Sequence, residues 1–409
     1  MGTLVKGTKG RRMKKLNIKE EFIPILLICI IGCLEFFAGI LNILNLSTYL
    51  IGFIGIIFVL YKLYRIILKK EKINLNKNFI IYAFLVLWAA WILKGTILIH
   101  YDNFSHWAII IKEMLTINKL PNFQSNVILF TSYPPGTACF IYFICKYIGT
   151  SEGIVLFAQS LIIISSLFTL FAFCNKENKI NYLLVTIGII YLLIANIFIN
   201  QLLVDTVLPL LGIAAIAIII YYREDYKKSL FIITPILCFL TIVKNSGIFF
   251  VIIDFIIWFT FFIKNNGIKS VFKTKYILLI FLPLLMLLLW SAHTDLVFDN
   301  SNTTKHAMSI ENYTTNLGNK DTEVIYNILN NMKNKMIDLN NKDNQIFLIM
   351  IIPFIFLIFI SKKNIELQKF IIKMFIFYIL SYVLYQISVA RNVYFFYDRR
   401  RSRNFSRIC

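Results

Sequence analysis

Charge is what this sequence has least of. Only 15% of its 409 residues are Asp, Glu, Lys or Arg, against about a quarter in ordinary soluble domains. Acidic residues are scarcer still, 21 against 42 basic ones, for a net charge of +21. Also missing are a Walker loop, an HExxH pair, a GxSxG elbow and zinc-ligand spacing, which leaves no sign of ATP use, a metalloprotease or a serine hydrolase. The seven cysteines (29, 33, 139, 145, 174, 238 and 409) are scattered, mostly within apolar runs. They read as small buried hydrophobes rather than a disulfide or metal framework.

What is present is apolar residue in long blocks, 58% of the chain, with a mean hydropathy of +0.73. Such blocks are satisfied inside a bilayer, where a helix closes its own backbone hydrogen bonds. The expectation is an all-α polytopic membrane protein. Runs near the ~20 residues a crossing needs fall at 22–44, 46–68, 78–99, 152–174, 181–199, 202–222, 229–243, 246–263, 275–292, 344–361 and 367–390. That predicts about eleven transmembrane helices, with a shorter piece at 137–150 left over. The first run is too long for a signal-peptide core and lacks a small-residue cleavage site after it, so it reads as an uncleaved span.

The basic residues lie in short loops between these runs, the pattern of a positive-inside membrane protein rather than of a nucleic-acid binder. The basic tail 1–21 and the segment 62–77 are expected in the cytoplasm of a multi-pass cell-membrane protein. If 137–150 does not cross, the basic loops 175–181, 222–228, 264–275 and 361–369 all fall on that same side; if it crosses, none does. The charge rule therefore favours a juxtamembrane or re-entrant helix there. The loop 100–136 and the turns at Asp205 and Lys244 to Gly247 then share the outer face. The long loop 293–343, in which basic and acidic residues nearly balance, joins them, with an amphipathic helix expected at 321–338. The segments thus read as a tail (1–21), a transmembrane module (22–292), an outer loop (293–343), C-terminal crossings (344–390) and a second basic tail (391–409). This last tail, rich in Arg, would lie outside against the charge rule, as expected of a chain that continues or is altered at this end.

The polar residues of the outer face are the candidates for chemistry. Asp102 leaves the third run in the loop 100–136. It is either a solvated loop acid or a general base for a sugar hydroxyl, or a ligand orienting an acceptor or metal; a carboxylate is ionised at neutral pH and can sit within reach of such a proton. A helical turn would put His106 on the same face as Asp102, with Asn103 and Ser105 as alternative caps. His106, beside Trp107, reads alternatively as an interfacial polar residue satisfied by its neighbours. Lys112 either lies on a solvated helix face or meets an anionic lipid phosphate, and Glu113 reads as solvated. The turn Tyr133-Pro134-Pro135-Gly136 bars helix and can open the next one, holding the loop over a cavity. Asp205 is either a cavity acid or a helix-start acid favoured by the dipole. Lys244, in Lys244-Asn245-Ser246-Gly247, breaks the charge rule; a lipid-linked phosphate or snorkelling to headgroups would account for it. Glu35 and Asp254, inside runs, are further candidates.

Together, a basic N-terminus, a first outer loop opening with an acid, a Pro-rich turn, a later outer Asp and a Lys-x-Ser-Gly turn resemble the GT-C superfamily, membrane glycosyltransferases that use polyprenyl-phosphate sugars. The resemblance covers roughly 77–263 and extends to aminoarabinose transferases and protein O-mannosyltransferases. It implies a GT-C-like fold with Asp102 as the catalytic carboxylate. His106, Lys112, Tyr133, Asp205 and Lys244 are expected on the substrates: a polyprenyl-phosphate-linked sugar donor and a glycan or lipid acceptor, beside membrane lipid. The family often carries an acidic pair in this loop, whereas Asn103 follows Asp102 here; a divalent metal is an open option and no other cofactor is implied. Two spans precede the usual first one. The rival readings are a transporter or flippase of lipid-linked sugars, and a polysaccharide polymerase or ligase.

Overall fold

The computed structural model describes residues 18–70, 76–125, 128, 130–174, 179–195, 199–267, 274–298 and 338–360, with isolated positions at 326–327, 330–331, 333–334, 372 and 379. All regular elements among them are helical. The chain forms two compact units, residues 1–307 and 308–409. The first holds α1 (Ile23–Ile40), α2 (Leu44–Ile67), α3 (Lys77–Leu93), α4 (Ala108–Ile117), α5 (Gly136–Ile148), α6 (Glu152–Phe168), α7 (Lys179–Ala195), α8 (Val204–Tyr221), α9 (Tyr226–Val243), α10 (Gly247–Asn266) and α11 (Thr274–Val297). The second holds α12 (Lys342–Ile360). The basic tails, most of the loop 293–343 and nearly all of the run 367–390 lie outside the described residues.

Local sequence explains several boundaries. Asn76 caps α3 by accepting from the Asn78 amide at 3.1 Å, and Asp225 caps α9 by accepting from the Lys228 amide at 3.2 Å. Asn118, at φ 56°, turns α4 off in the left-handed conformation that Asn tolerates. Pro209, Pro235 and Pro283 sit inside α8, α9 and α11, where neighbouring helices can re-satisfy the freed backbone groups. The core is built round α9, which packs against α1, α5, α8, α10 and α11. Phe239, Leu240, Ile236 and Leu237 of α9 are wholly buried.

Among the described residues, seven helices are long and apolar enough to cross a membrane: α1, α2, α6, α8, α9, α10 and α11, with α1 and α6 extended by short 3-10 turns. This supports a membrane protein, with fewer such helices than the eleven runs. The run 78–99 differs most. Its helix stops at Leu93, because Lys94 turns extended (φ −62°, ψ 118°) and the Thr96 amide bonds back to the Leu93 carbonyl. The Leu98 amide then donates to Glu152 at 2.7 Å, so the expected outer turns of this crossing are loop. α3 and α7 are each 17 residues long, short for a crossing without tilt or thinning.

Contacts sort the first unit into two ends. At one, the Lys19 amide donates to the Tyr222 hydroxyl, Asn76 and Asn78 donate to Glu21, and Tyr226 packs on Phe262 and Tyr276. This is the basic end, carrying Lys19, Lys77, Arg223, Lys227 and Lys228. The other end holds the loop after α3 and the turns α7–α8 and α9–α10. Both ends of α5 belong to it: Gly136 lies against the Ile242 carbonyl near the end of α9, and the Tyr147 hydroxyl donates to the Thr48 carbonyl in the first turns of α2. The segment 137–150 thus enters and leaves at one end of the bundle, the geometry the charge rule favours.

Candidate functional site

The site end is assembled on the last turn of α9. Two glycines make it fit. A Cβ on Gly136 would lie 2.6 Å from the Ile242 carbonyl oxygen, and one on Gly247 1.9 Å from the Leu240 carbonyl oxygen. The Pro-Pro-Gly turn and the Lys-Asn-Ser-Gly turn therefore press against the same helix end, each on its own carbonyl. The Ser132 carbonyl joins them, accepting from Asn245 Nδ2 at 3.2 Å and from Trp290 Nε1 at 3.0 Å. In this way the loop 100–136 is tied to the α9–α10 turn and to α11.

Lys244 lies at the centre. It leaves α9 in an extended conformation (φ −163°, ψ 149°), which turns its side chain away from the helix axis. Its Nζ donates to Asp205 at 2.7 Å, at the start of α8. The ammonium also stands 5.5 Å from the Tyr133 ring and 6.0 Å from the Trp107 ring, within cation–π range. Tyr133 stacks on Trp107 (5.7 Å, 8°) and on Phe130 (5.4 Å, 18°), with His106 edge-on at 5.2 Å. Burial first, and then the carboxylates of Asp205 and Asp102, hold the Tyr133 phenol above its ordinary range. Both acids thus reach Tyr133 from separate elements.

Asp102 precedes a π-helical turn, Asn103–Trp107, and neither it, Asn103 nor Ser105 caps a helix by its side chain. Its carboxylate is 45% exposed and stands 3.8 Å from His100 Nδ1, which accepts from the Asp102 amide at 3.2 Å. His106 is buried, and neither ring nitrogen has a hydrogen-bond partner, so it is not the self-satisfied interfacial residue that its place beside Trp107 allowed. Burial, with Lys244 second, pushes its imidazole down to about 3. It is neutral at working pH and brings no positive charge. Lys112 is exposed on α4, whose buried face is Ile110, Ile111 and Met114, and no contact ties it to Lys244. Glu113 is not solvated: half-buried, it accepts from Ser125 Oγ.

No family model matches this chain, and neither a curated protein nor a solved structure does. The site has therefore to be read from its own chemistry. Tyr133, Asp205 and Lys244 come together, with Asp102 within electrostatic reach of Tyr133; His106 lies behind the aromatic stack; Lys112 stands apart. Among the described residues no three His, Cys, Asp or Glu side chains converge as a metal-binding group, and Asp205 is already occupied by Lys244. This donor set does not suit a divalent ion, and no step of the mechanism is routed through one.

Sequence reasoning read Asn103 only as an alternative cap and as the residue in place of a second acid, and passed over Ser132 and Trp290. Asn103 is fully buried with both amide atoms unpartnered, and the Ser132 hydroxyl is also orphaned. Unsatisfied polar groups of this kind cost about 1–3 kcal/mol each, so three of them within the loop that carries the aromatic stack (Asn103, His106, Ser132) mark a place prepared for hydrogen bonds. Asn103 stood next to Asp102 as a signal; nothing local in the sequence marks Ser132. A small apolar cavity, lined by Trp107, Ile111, Thr137, Ile141 and Val204, opens beside the same stack.

Proposed function

We propose that this chain is an integral membrane glycosyltransferase of GT-C type, moving a sugar from a polyprenyl-phosphate donor to a cell-envelope acceptor, glycan or lipid, at the outer face. The observation that carries the reading is the convergence of an exposed carboxylate, an aromatic platform and one ammonium at the end of the bundle opposite the basic loops. With the basic end cytoplasmic, the site faces outwards, where a lipid-linked sugar arrives already activated.

Asp102 suits the base better than Asp205. It is held only loosely, 3.8 Å from His100, whereas Asp205 is bound to Lys244 at 2.7 Å. The Asp102 carboxylate takes the proton of an acceptor hydroxyl as that oxygen bonds to the anomeric carbon. The bond from the anomeric carbon to the phosphate oxygen breaks, its electron pair leaves with the polyprenyl phosphate, and configuration inverts. Lys244 meets the charge that develops on the leaving phosphate. Trp107, Tyr133 and Phe130 offer flat apolar faces to a sugar ring, and the orphaned polar groups of Asn103, His106 and Ser132 offer its hydroxyls partners.

The test is Asp102→Asn in membranes supplied with a lipid-linked sugar donor. A lost general base lowers transfer by about 10²–10⁴-fold with expression retained. Unchanged transfer overturns the reading. It leaves the second one, a transporter of lipid-linked sugars, which Glu35 and Asp254 favour: both are fully buried carboxyls in spanning helices with neither oxygen partnered.

A further inference from the structure

A second polar layer lies between α1, α2 and α5, apart from the Lys244 site. At its centre is Glu35 of α1, wholly buried, with no hydrogen bond to either carboxyl oxygen. Thr48 of α2 faces it, and Cys139, Tyr142 and Tyr147 of α5 lie within its electrostatic reach.

The hydroxyls round Glu35 have no hydrogen left to offer. Thr48 Oγ donates to the Leu44 carbonyl at 3.1 Å. The Tyr142 hydroxyl donates to Asn118 Oδ1 at 2.8 Å, and the Tyr147 hydroxyl to the Thr48 carbonyl at 2.7 Å. Each hydroxyl has one hydrogen, and each of these is engaged. None of these hydrogens is left for Glu35. The cation of this layer, Lys146, is also engaged, donating to Asn118 Oδ1 at 3.0 Å and resting 5.8 Å from the rings of Tyr49 and Tyr142. The remaining titratable neighbours are thiols: Cys33 on α1 itself, Cys139 on α5, and Cys238 of α9, which faces Cys29 and Cys33. A bare carboxylate would stand unpaired among acceptors, away from water, where an uncompensated charge costs several kcal/mol. A carboxylic acid, with one O–H to donate, completes the layer.

We infer that the layer between α1, α2 and α5 is an intramembrane proton-binding site, in which Glu35 holds the proton and the Thr48 hydroxyl oxygen stands ready to accept from it. The inference is independent of the sugar-transfer reading: it rests on α1, α2 and α5, and it holds whether or not Asp102 acts as a base. The site also joins α2 to the bundle, since Thr48 is the residue Tyr147 binds. Releasing the proton would leave a buried, unpaired negative charge beside Thr48, so proton exchange is coupled to the packing of α2 on α1 and α5.

Infrared spectroscopy of the full chain in detergent tests this. The wild-type-minus-Glu35→Gln difference spectrum at neutral pH should contain the carbonyl stretch of one protonated carboxyl, distinct from whatever wild type minus Asp254→Asn contains. Thr48→Val, which removes the acceptor and leaves Glu35 in place, should move that band; this arm serves if Glu35→Gln fails to fold. Absence of the band at neutral pH overturns the inference. So does loss of the band on adding sodium or potassium at constant pH, which would make the ligand a metal cation.

Discussion

His106 is where burial has a readable consequence. Its imidazole is pushed down to about 3 from an ordinary value near 6.5. The unfolded chain therefore binds a proton between these values that the folded chain refuses. Stability rises with pH wherever the unfolded state binds more protons, so the contribution of His106 is fully present above about pH 6.5 and is lost as pH falls towards 3. The expected outcome is a stability that falls by on the order of 2 kcal/mol between pH 7 and pH 5 from this one group, read as a lower thermal midpoint at pH 5. His106→Phe, which keeps the edge-on ring and removes the two orphaned nitrogens, should flatten that slope without lowering stability at pH 7; a steeper slope would refute it. At Lys244 the proposal makes a different demand. A charge-assisted contact to phosphate is worth roughly 1.5–3 kcal/mol, so Lys244→Gln should raise the KM for a lipid-phosphate donor about ten- to a hundredfold. Asp205→Asn, which frees the ammonium from its 2.7 Å partner, should lower it. Equal losses in both variants would mean that the pair acts as a structural strut. The charges of this site could be read from the chain, because Asp102, Asp205 and Lys244 each interrupt apolar surroundings. The orphaned groups could not, because a lack of partners is a property of packing.

At the scale of elements, α9 is what the two turns converge on. Gly136 and Gly247 come within contact of two carbonyls near its end, Ile242 and Leu240, and each approach is closer than any side chain allows. Gly247→Ala should be the more damaging, since its Cβ would meet backbone at 1.9 Å where that of Gly136→Ala meets it at 2.6 Å. A forced backbone shift of this kind costs typically 1–3 kcal/mol, and it would displace Lys244, three residues away. The check is a lower thermal midpoint together with weaker donor binding for Gly247→Ala, and a smaller change in both for Gly136→Ala; an unaltered midpoint for Gly247→Ala would show that the turn relaxes freely. Both motifs were visible as helix breakers, from two prolines and from three polar residues before a glycine. That they break against the same helix end is a tertiary fact. The end of α3 escaped for the opposite reason: the residues after Leu93 are apolar enough to continue a run, and only the bond from the Leu98 amide to Glu152, 54 residues on, shows where they go.

For the molecule as a whole, the informative feature of the sequence was the sign of its short loops. Local hydropathy counted runs and could not tell a crossing from a buried helix; α5 is apolar, mostly buried and 13 residues long, short of the ~20 residues of a crossing. The parity of the basic loops round it argues for a helix that does not cross. That argument yields a prediction for the native membrane. Single cysteines replacing Gln124, Gln201 and Asn245 should react with a membrane-impermeant maleimide from one side, and cysteines replacing Lys69, Glu224 and Asn266 only from the other, all in a chain whose own cysteines are changed to alanine or serine. A cysteine at Thr150, just past α5, should group with the first set, because both ends of that helix meet the site end. Labelling of Thr150→Cys with the second set would mean that α5 crosses. Every helix after it would then be inverted, Lys244 and Asp205 would face the opposite side from Asp102, and the convergence on Tyr133 could not exist in the membrane.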